Sequence, residues 1–133
     1  MDPGQKSVVL ILARELATNL ATPMFLIDAD GRLVFYNEAA EPIVGKPFSE
    51  VGEMDAGEWA ALLQPTTPEG ETLSRTQIPP GVALLERRPA HGSIAITGLD
   101  GVPRRLEITA YPLYRRADEF AGAVGIFWLE NEG

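Results

Sequence analysis

The side chains that most often carry out chemistry are scarce in this sequence. It contains no cysteine, which excludes thiol nucleophiles, zinc–thiolate sites and a cysteine-linked flavin. His91 is the single histidine, and its flanks, Pro89-Ala90 and Gly92, are typical of a surface loop. One loop histidine does not support a Ser/His/Asp triad, and it disfavours a haem. The sequence therefore predicts no catalytic residue and no metal site, and it leaves the identity of any cofactor open.

Two aspartates are the strongest candidates for an enzymatic role. The run Phe25-Leu26-Ile27-Asp28-Ala29-Asp30-Gly31 resembles the first motif of haloacid-dehalogenase-like phosphatases. In that family the first aspartate is a nucleophile, the second is a general acid/base, and Mg²⁺ joins them. Arg32 stands where the motif has threonine and would crowd the phosphate site. Because short motifs often match by chance, a phosphatase using Asp28 and Asp30 is the less favoured alternative, and we expect no enzyme.

Length and charge restrict the remaining classes. A chain of 133 residues fits one domain, and its 45% hydrophobic content is that of a globular protein. The net charge of −8 would repel phosphate backbones, so we expect no nucleic-acid partner. The apolar stretch from Val8 to Ala13 is too short to cross a bilayer and lacks the features of a signal peptide. We therefore expect a cytoplasmic protein with no membrane partner.

The first segment predicts a helix from Lys6 to Ala21. Ser7 can cap it, and Thr22-Pro23 ends it because the residue before proline is pushed out of the helical region. Its apolar stripe is wide enough that it must cover a sheet, a partner chain or both. The residues that we expect at a dimer interface are Val8, Val9, Leu12, Leu16 and Leu20.

Two short apolar runs then predict a hairpin. They extend from Met24 to Ile27 and from Arg32 to Tyr36, and a turn-forming Asp-Gly cluster separates them. Strict alternation would place Phe25, Ile27, Val34 and Tyr36 on one face, and Leu26, Leu33 and Phe35 on the other. Both faces are apolar, so neither is expected to face water.

The middle third predicts short helices. Asn37 can cap one that stops at Gly45. Between Lys46 and Pro80 only the stretch from Ala56 to Leu63 looks helical. Pro79-Pro80 then opens a helix that ends near Arg88-Pro89.

The last third predicts strands, from Ser93 to Thr97, from Arg104 to Leu113 and from Phe120 to Leu129. Strands grouped apart from helices indicate an α+β fold with an antiparallel sheet. We expect five strands, with short helices on one face and the N-terminal helix packing outside.

This order and several motifs resemble the PAS domain family. The first half carries Phe25-Leu26-Ile27-Asp28, the turn Asp30-Gly31, and Leu33-Val34-Phe35-Tyr36-Asn37 followed by Ala39-Ala40 and Gly45. The second half carries Leu99-Asp100-Gly101, the alternating run from Arg105 to Leu113 with its Pro112-Leu113, and Gly122-Ala123-Val124-Gly125-Ile126-Phe127. The resemblance implies an N-terminal dimerisation helix over residues 1–23 and a PAS domain over residues 24–130.

The resemblance implies a signalling role of the bacterial type. Such domains bind small molecules between the sheet and the helices, and they dimerise through the leading helix. The expected partners are a second copy of the chain, a signalling effector protein and a small apolar or aromatic ligand. Tyr36 is expected to orient a polar ligand group. The expected ligand-binding residues are Phe25, Ile27, Val34, Tyr36, Ala40, Val44, Val82, Leu85, Ile94, Leu106 and Ile108. The alternative is a ligand-free PAS dimerisation or adaptor module, in which the same residues fill a core.

Overall fold

One antiparallel sheet organises the residues that the computed structural model describes, which are residues 8–130. Its strands are β1 (Met24–Asp28), β2 (Leu33–Tyr36), β3 (Ala90–Thr97), β4 (Pro103–Arg116) and β5 (Glu119–Leu129). They lie in the order β2-β1-β5-β4-β3. The predicted α+β fold with a five-stranded antiparallel sheet is confirmed. β3 to β5 are longer than predicted, and β3 begins early enough to include His91.

The first helix, α1 (Val8–Thr18), ends earlier than the sequence predicts. Thr18 Oγ1 donates to the Arg14 carbonyl at 2.8 Å, and Asn19 Nδ2 donates to the Glu15 carbonyl at 3.0 Å. The bond from Asn19 satisfies a carbonyl of the last turn, and both bonds lie where the helix ends, well before Pro23. Lys6 and the predicted cap, Ser7, lie outside the described residues.

The remaining helices are short and follow the predicted signals in most places. A 3₁₀ turn (Glu38–Ala40) leads into α2 (Glu41–Val44), then α3 (Phe48–Val51), α4 (Ala56–Leu63) and α5 (Pro79–Glu86). The Asn37 side chain accepts from the Ala40 backbone N–H, so its predicted capping role is confirmed. The prediction missed α3, a single turn with no apolar periodicity. None of the helices among residues 8–130 has the length and hydropathy of a membrane span.

The sheet separates two apolar clusters. The larger one lies between the sheet and the short helices and includes Ile27, Tyr36, Trp59, Leu106 and Phe127. The smaller one lies under α1, where Ala17 packs with Leu26, Val34, Phe35 and Val124. Both faces of the sheet are therefore covered, as the two apolar faces of the hairpin predict.

A β-bulge in β2 overturns the predicted face of Val34. The register pairs Phe25 with Tyr36 and Leu26 with Phe35, but then Ile27 with Leu33, which leaves Val34 as the extra residue. At a bulge two residues oppose one, and alternation breaks locally. Val34 and Phe35 therefore both join the α1 side, and Leu33 joins Ile27 on the opposite face. The predicted assignment of both Val34 and Leu33 was wrong.

Two glycines inside helices allow a matched test of this packing. A Cβ on Gly81 in α5 would lie 1.8 Å from the Arg75 carbonyl oxygen, whereas one on Gly57 in α4 meets nothing within 4 Å. We expect Gly81→Ala to lower the free energy of unfolding by about 1–3 kcal/mol through overpacking. Gly57→Ala should raise it by up to about 1 kcal/mol because alanine favours the helix. Urea unfolding measures both, and equal effects of the two substitutions would contradict the described position of the Arg75 segment.

Candidate functional site

An apolar cavity of about 70 Å³ lies between the sheet and the short helices. The strands supply its base, and α2, α4 and the start of α5 supply its cover. Its lining residues are Phe25, Ile27, Leu33, Tyr36, Val44, Met54, Trp59, Leu63, Pro65, Ile78, Pro80, Ile94, Ile96, Leu106, Ile108 and Phe127.

Most of the residues expected to bind a ligand line this cavity. They are Phe25, Ile27, Tyr36, Val44, Ile94, Leu106 and Ile108. Ala40 is fully buried in the surrounding core and does not reach the cavity. Val34 lies on the α1 side of the sheet because of the bulge. Val82 and Leu85 also lie off the cavity, since α5 faces it with its first turn, and Leu85 is 62% exposed.

Several lining residues escaped the sequence prediction. Ile96 alternates with Ile94 on β3, so the strand pattern alone could have identified it. Trp59 is the large aromatic residue of α4, and its size was a usable signal. Met54 and Pro65 come from connecting segments, where no periodicity indicates which side chain turns inward.

The two polar groups in the lining are already bonded to the backbone. The Tyr36 hydroxyl donates to the Lys46 carbonyl at 2.6 Å, and Trp59 Nε1 donates to the Gly31 carbonyl at 2.9 Å. Tyr36, which was expected to orient a polar ligand group, therefore ties β2 to the segment after α2. The cavity wall presents carbon, so a molecule inside it would be held by shape and dispersion.

Burial is the main reason why the pKa of Tyr36 is raised to about 12, and the nearby carboxylates of Glu41 and Glu50 raise it further. The phenol therefore stays neutral and keeps its hydrogen atom throughout the physiological pH range. This protonation state maintains its hydrogen bond to the Lys46 carbonyl.

A bidentate ion pair fixes one end of the cavity wall. Arg104 contacts both oxygens of Asp100, at 2.9 and 2.7 Å, and also donates to the Ile43 carbonyl at 3.2 Å. The Leu99 backbone N–H donates to the Val44 carbonyl at 2.7 Å. The hydrogen bonds from Arg104 lower the pKa of Asp100 to about 2. Together these bonds attach α2, which carries Val44, to the turn between β3 and β4.

Asp28 and Asp30 form a turn and do not form a catalytic pair. One oxygen of Asp28 accepts from the backbone N–H groups of Asp30 and Arg32, at 2.9 and 3.0 Å. Such a side-chain bond two residues ahead is typical of an Asx turn. The sheet is antiparallel, and no cluster of three potential metal ligands occurs within residues 8–130. The phosphatase alternative is therefore contradicted by the fold.

His91 lies on β3, and the prediction of a loop position was wrong. Its Nε2 is 2.8 Å from one oxygen of Glu107, and the other oxygen of Glu107 accepts from Ser93 Oγ at 2.6 Å. These residues lie on the face of β3 opposite to Ile94 and Ile96, so His91 does not reach the cavity. The Glu107 carboxylate lies between Ser93 and His91, whereas in a Ser/His/Asp triad the histidine lies between the serine and the carboxylate.

The outer face carries the residues expected at a dimer interface. α1 packs Leu10, Ala13 and Ala17 against the sheet. Its opposite side exposes Val8 (65%), Leu12 (62%) and Leu16 (60%), together with Ile11, and Leu20 (39%) is exposed in the segment after the helix. Val9, the remaining predicted interface residue, is half-buried.

Asn37 joins α1 to the sheet, and it is the only fully buried side-chain amide among residues 8–130. Its Oδ1 accepts from the backbone N–H groups of Met24 and Ala40, at 3.0 and 3.2 Å. Its Nδ2 donates to the carbonyls of Ala17 and Thr22, at 3.0 and 2.8 Å. One amide thus fixes the end of α1, the start of β1 and the first turn of the helical segment.

The comparisons with known proteins agree with this architecture. A family model described as PAS domain matches residues 12–79. No curated protein matches the sequence.

Solved structures share the fold at low sequence identity. The PAS domain of a protein from Colwellia psychrerythraea has a TM-score of 0.64 and 16% identity, and the match covers 94% of this chain and 99% of that one. The PAS domain of nitrogen regulation protein NR(II) from Vibrio parahaemolyticus has a TM-score of 0.61 and 17% identity, covering 90% and 98%. The Rhodobacter sphaeroides LOV protein has a TM-score of 0.71 and 13% identity, covering 92% and 68%.

Proposed function

The chain belongs to the PAS domain family, and from this premise we propose that it is a homodimeric sensory module of signal transduction. In this proposal the core cavity admits a small apolar molecule, and α1 carries the response to a second copy of the chain and to an effector protein. The observation that carries the proposal is the position of Asn37. Asn37 directly follows β2, and its side chain bonds to Ala17 of α1, the helix with the exposed apolar stripe, and to Met24 at the start of β1.

The dimension and chemistry of the cavity define the class of ligand. An engineered cavity of about 150 Å³ binds benzene or xenon, and this cavity is about 70 Å³. Its volume suits a molecule of a few heavy atoms with no need for hydrogen bonds. A flavin does not fit, because the volume is too small and the polar groups of the wall are bonded to the backbone.

The exposed side of α1 is the surface that supports dimerisation. Val8, Leu12 and Leu16 follow one another at four-residue spacing, and each is exposed by 60% or more. A contiguous apolar stripe of this kind is rare on monomeric proteins and marks an interaction surface. Because Leu10 and Ala17 hold the opposite side of the same helix against the sheet, packing changes in the sheet would move the stripe.

The dimer is tested by introducing charge into the stripe. We expect the double variant Leu12→Glu/Leu16→Glu to be monomeric at concentrations where the unchanged chain is a dimer, since buried unpaired carboxylates oppose association. Leu85→Glu is the matched control, because Leu85 is equally exposed but lies on α5. Sedimentation equilibrium distinguishes the states. A monomeric unchanged chain, or a double variant that still dimerises, would refute the interface.

A ligand-free adaptor is the second candidate function, because 70 Å³ is also small for a sensor cavity. Xenon under pressure separates the two candidates. For a sensor we expect saturable shifts of the Ile94 and Ile108 methyl resonances, since xenon enters dry apolar cavities. Val44→Ile should reduce these shifts by filling space, whereas Val102→Ile, on an exposed turn, should not. An absence of methyl shifts in the unchanged chain would favour the adaptor.

A further inference from the structure

A second depression lies on the outer side of α4 and α5, next to the turn between β1 and β2. Its volume is about 320 Å³, which falls within the range of small-molecule sites. Ile27, Trp59, Leu84 and Phe120 give it an apolar floor. Ile27 and Trp59 also line the core cavity, so these two side chains form the wall between the two spaces. We refer to this depression as the outer cleft.

Two arginines at the outer cleft have no acidic partner. Neither Arg75 nor Arg87 forms an ion pair with a carboxylate of residues 8–130, whereas the neighbouring Arg88 pairs with Glu86 at 2.9 Å. The guanidinium of Arg87 lies over the Phe120 ring, 4.5 Å from its centroid. The lining of the cleft carries these two guanidinium groups and one carboxylate, Asp30, so it is positive overall although the chain has a net charge of −8.

The backbone at both arginines adopts an uncommon geometry. The Arg75 carbonyl approaches α5 so closely that position 81 must lack a Cβ. Arg87 follows α5 with a φ of 55°, in the left-handed region that a non-glycine residue seldom adopts. Stacking on Phe120 restricts the side chain of Arg87, which lowers the entropy lost when its N–H groups bind a ligand.

We propose that the outer cleft binds a small organic monocarboxylate with an apolar body. Guanidinium groups pair with carboxylates in a bidentate geometry, and both Arg75 and Arg87 are exposed and so accessible to a ligand. Ile27, Trp59 and Leu84 would contact the apolar body. Asp30 is the one carboxylate in the lining, and its charge disfavours dianions such as phosphate esters.

The tryptophans provide a direct readout of binding. The Trp59 indole N–H donates to the carbonyl of Gly31, and both residues line the outer cleft, whereas Trp128 lies on the outer sheet face beside His91. The probe is 2-naphthoate, which is far too large for the 70 Å³ core cavity, and its neutral amide is the chemical control. With naphthoate we expect a saturable shift of the Trp59 indole resonance and none of Trp128. The amide should bind at least about tenfold more weakly, because it lacks the charge.

Substitution of the arginines completes the test. Arg75→Gln and Arg87→Gln should each weaken naphthoate binding by about two- to fivefold, because both side chains are exposed. Arg88→Gln, with its partner Glu86 on the helix surface, should leave it unchanged. Arg75 stacks on no ring in the described structure, so Arg75→Gln remains informative even if Arg87→Gln disturbs the fold. Equal affinity for the acid and the amide, unchanged binding by Arg75→Gln, or no saturable Trp59 shift would each overturn the proposal.

Discussion

The structure depends on a single buried amide. Asn37 is buried to 1% exposure, and its polar atoms bond to α1, to β1 and to the turn that starts the helical segment. A buried amide left unpaired would be strongly destabilising. The hydrogen bonds of Asn37 therefore favour a single arrangement of these three segments. The Asn37 amide connects α1 and the segment after it, through Ala17 and Thr22, to the start of β1 and to the first turn of the helical segment, through Met24 and Ala40.

The two apolar faces of the sheet have different consequences for function. On the inner face the short helices cover the sheet and leave a small cavity with an apolar wall. On the outer face one side of α1 packs against β1, β2 and β5, and its other side is exposed. This exposed apolar side is the surface that we propose for association with a second copy of the chain. Trp59 belongs to both the core cavity and the outer cleft, so occupation of either space would alter the packing of the other.

Local chemistry explains which features the sequence could predict. The fold class, the hairpin, the Asn37 cap and the inward residues of β4 followed from alternation and from turn and cap residues, which act over a few positions. The face of Val34 did not, because one extra residue in β2 reverses alternation and its register is set by β1 across the sheet. Leu85 was misplaced because proline fixes the start of α5 but not the direction in which the helix faces. Met54 and Pro65 reach the cavity through long-range packing that no local pattern encodes.

Hydrogen–deuterium exchange of Asn37→Asp tests the central role of this amide most directly. Aspartate keeps the oxygen that accepts from Met24 and Ala40 but removes the N–H groups that donate to Ala17 and Thr22. The account predicts that the amides of α1 lose protection while those of β4 and β5 keep theirs, with a fall in unfolding free energy of about 1–3 kcal/mol. Gln77→Glu makes the same amide-to-carboxylate change at an exposed site away from α1 and keeps the oxygen that accepts from the Ser74 N–H, so it should leave the protection of α1 unchanged. Unchanged protection of α1 in Asn37→Asp, or an equal loss throughout the sheet, would contradict the account.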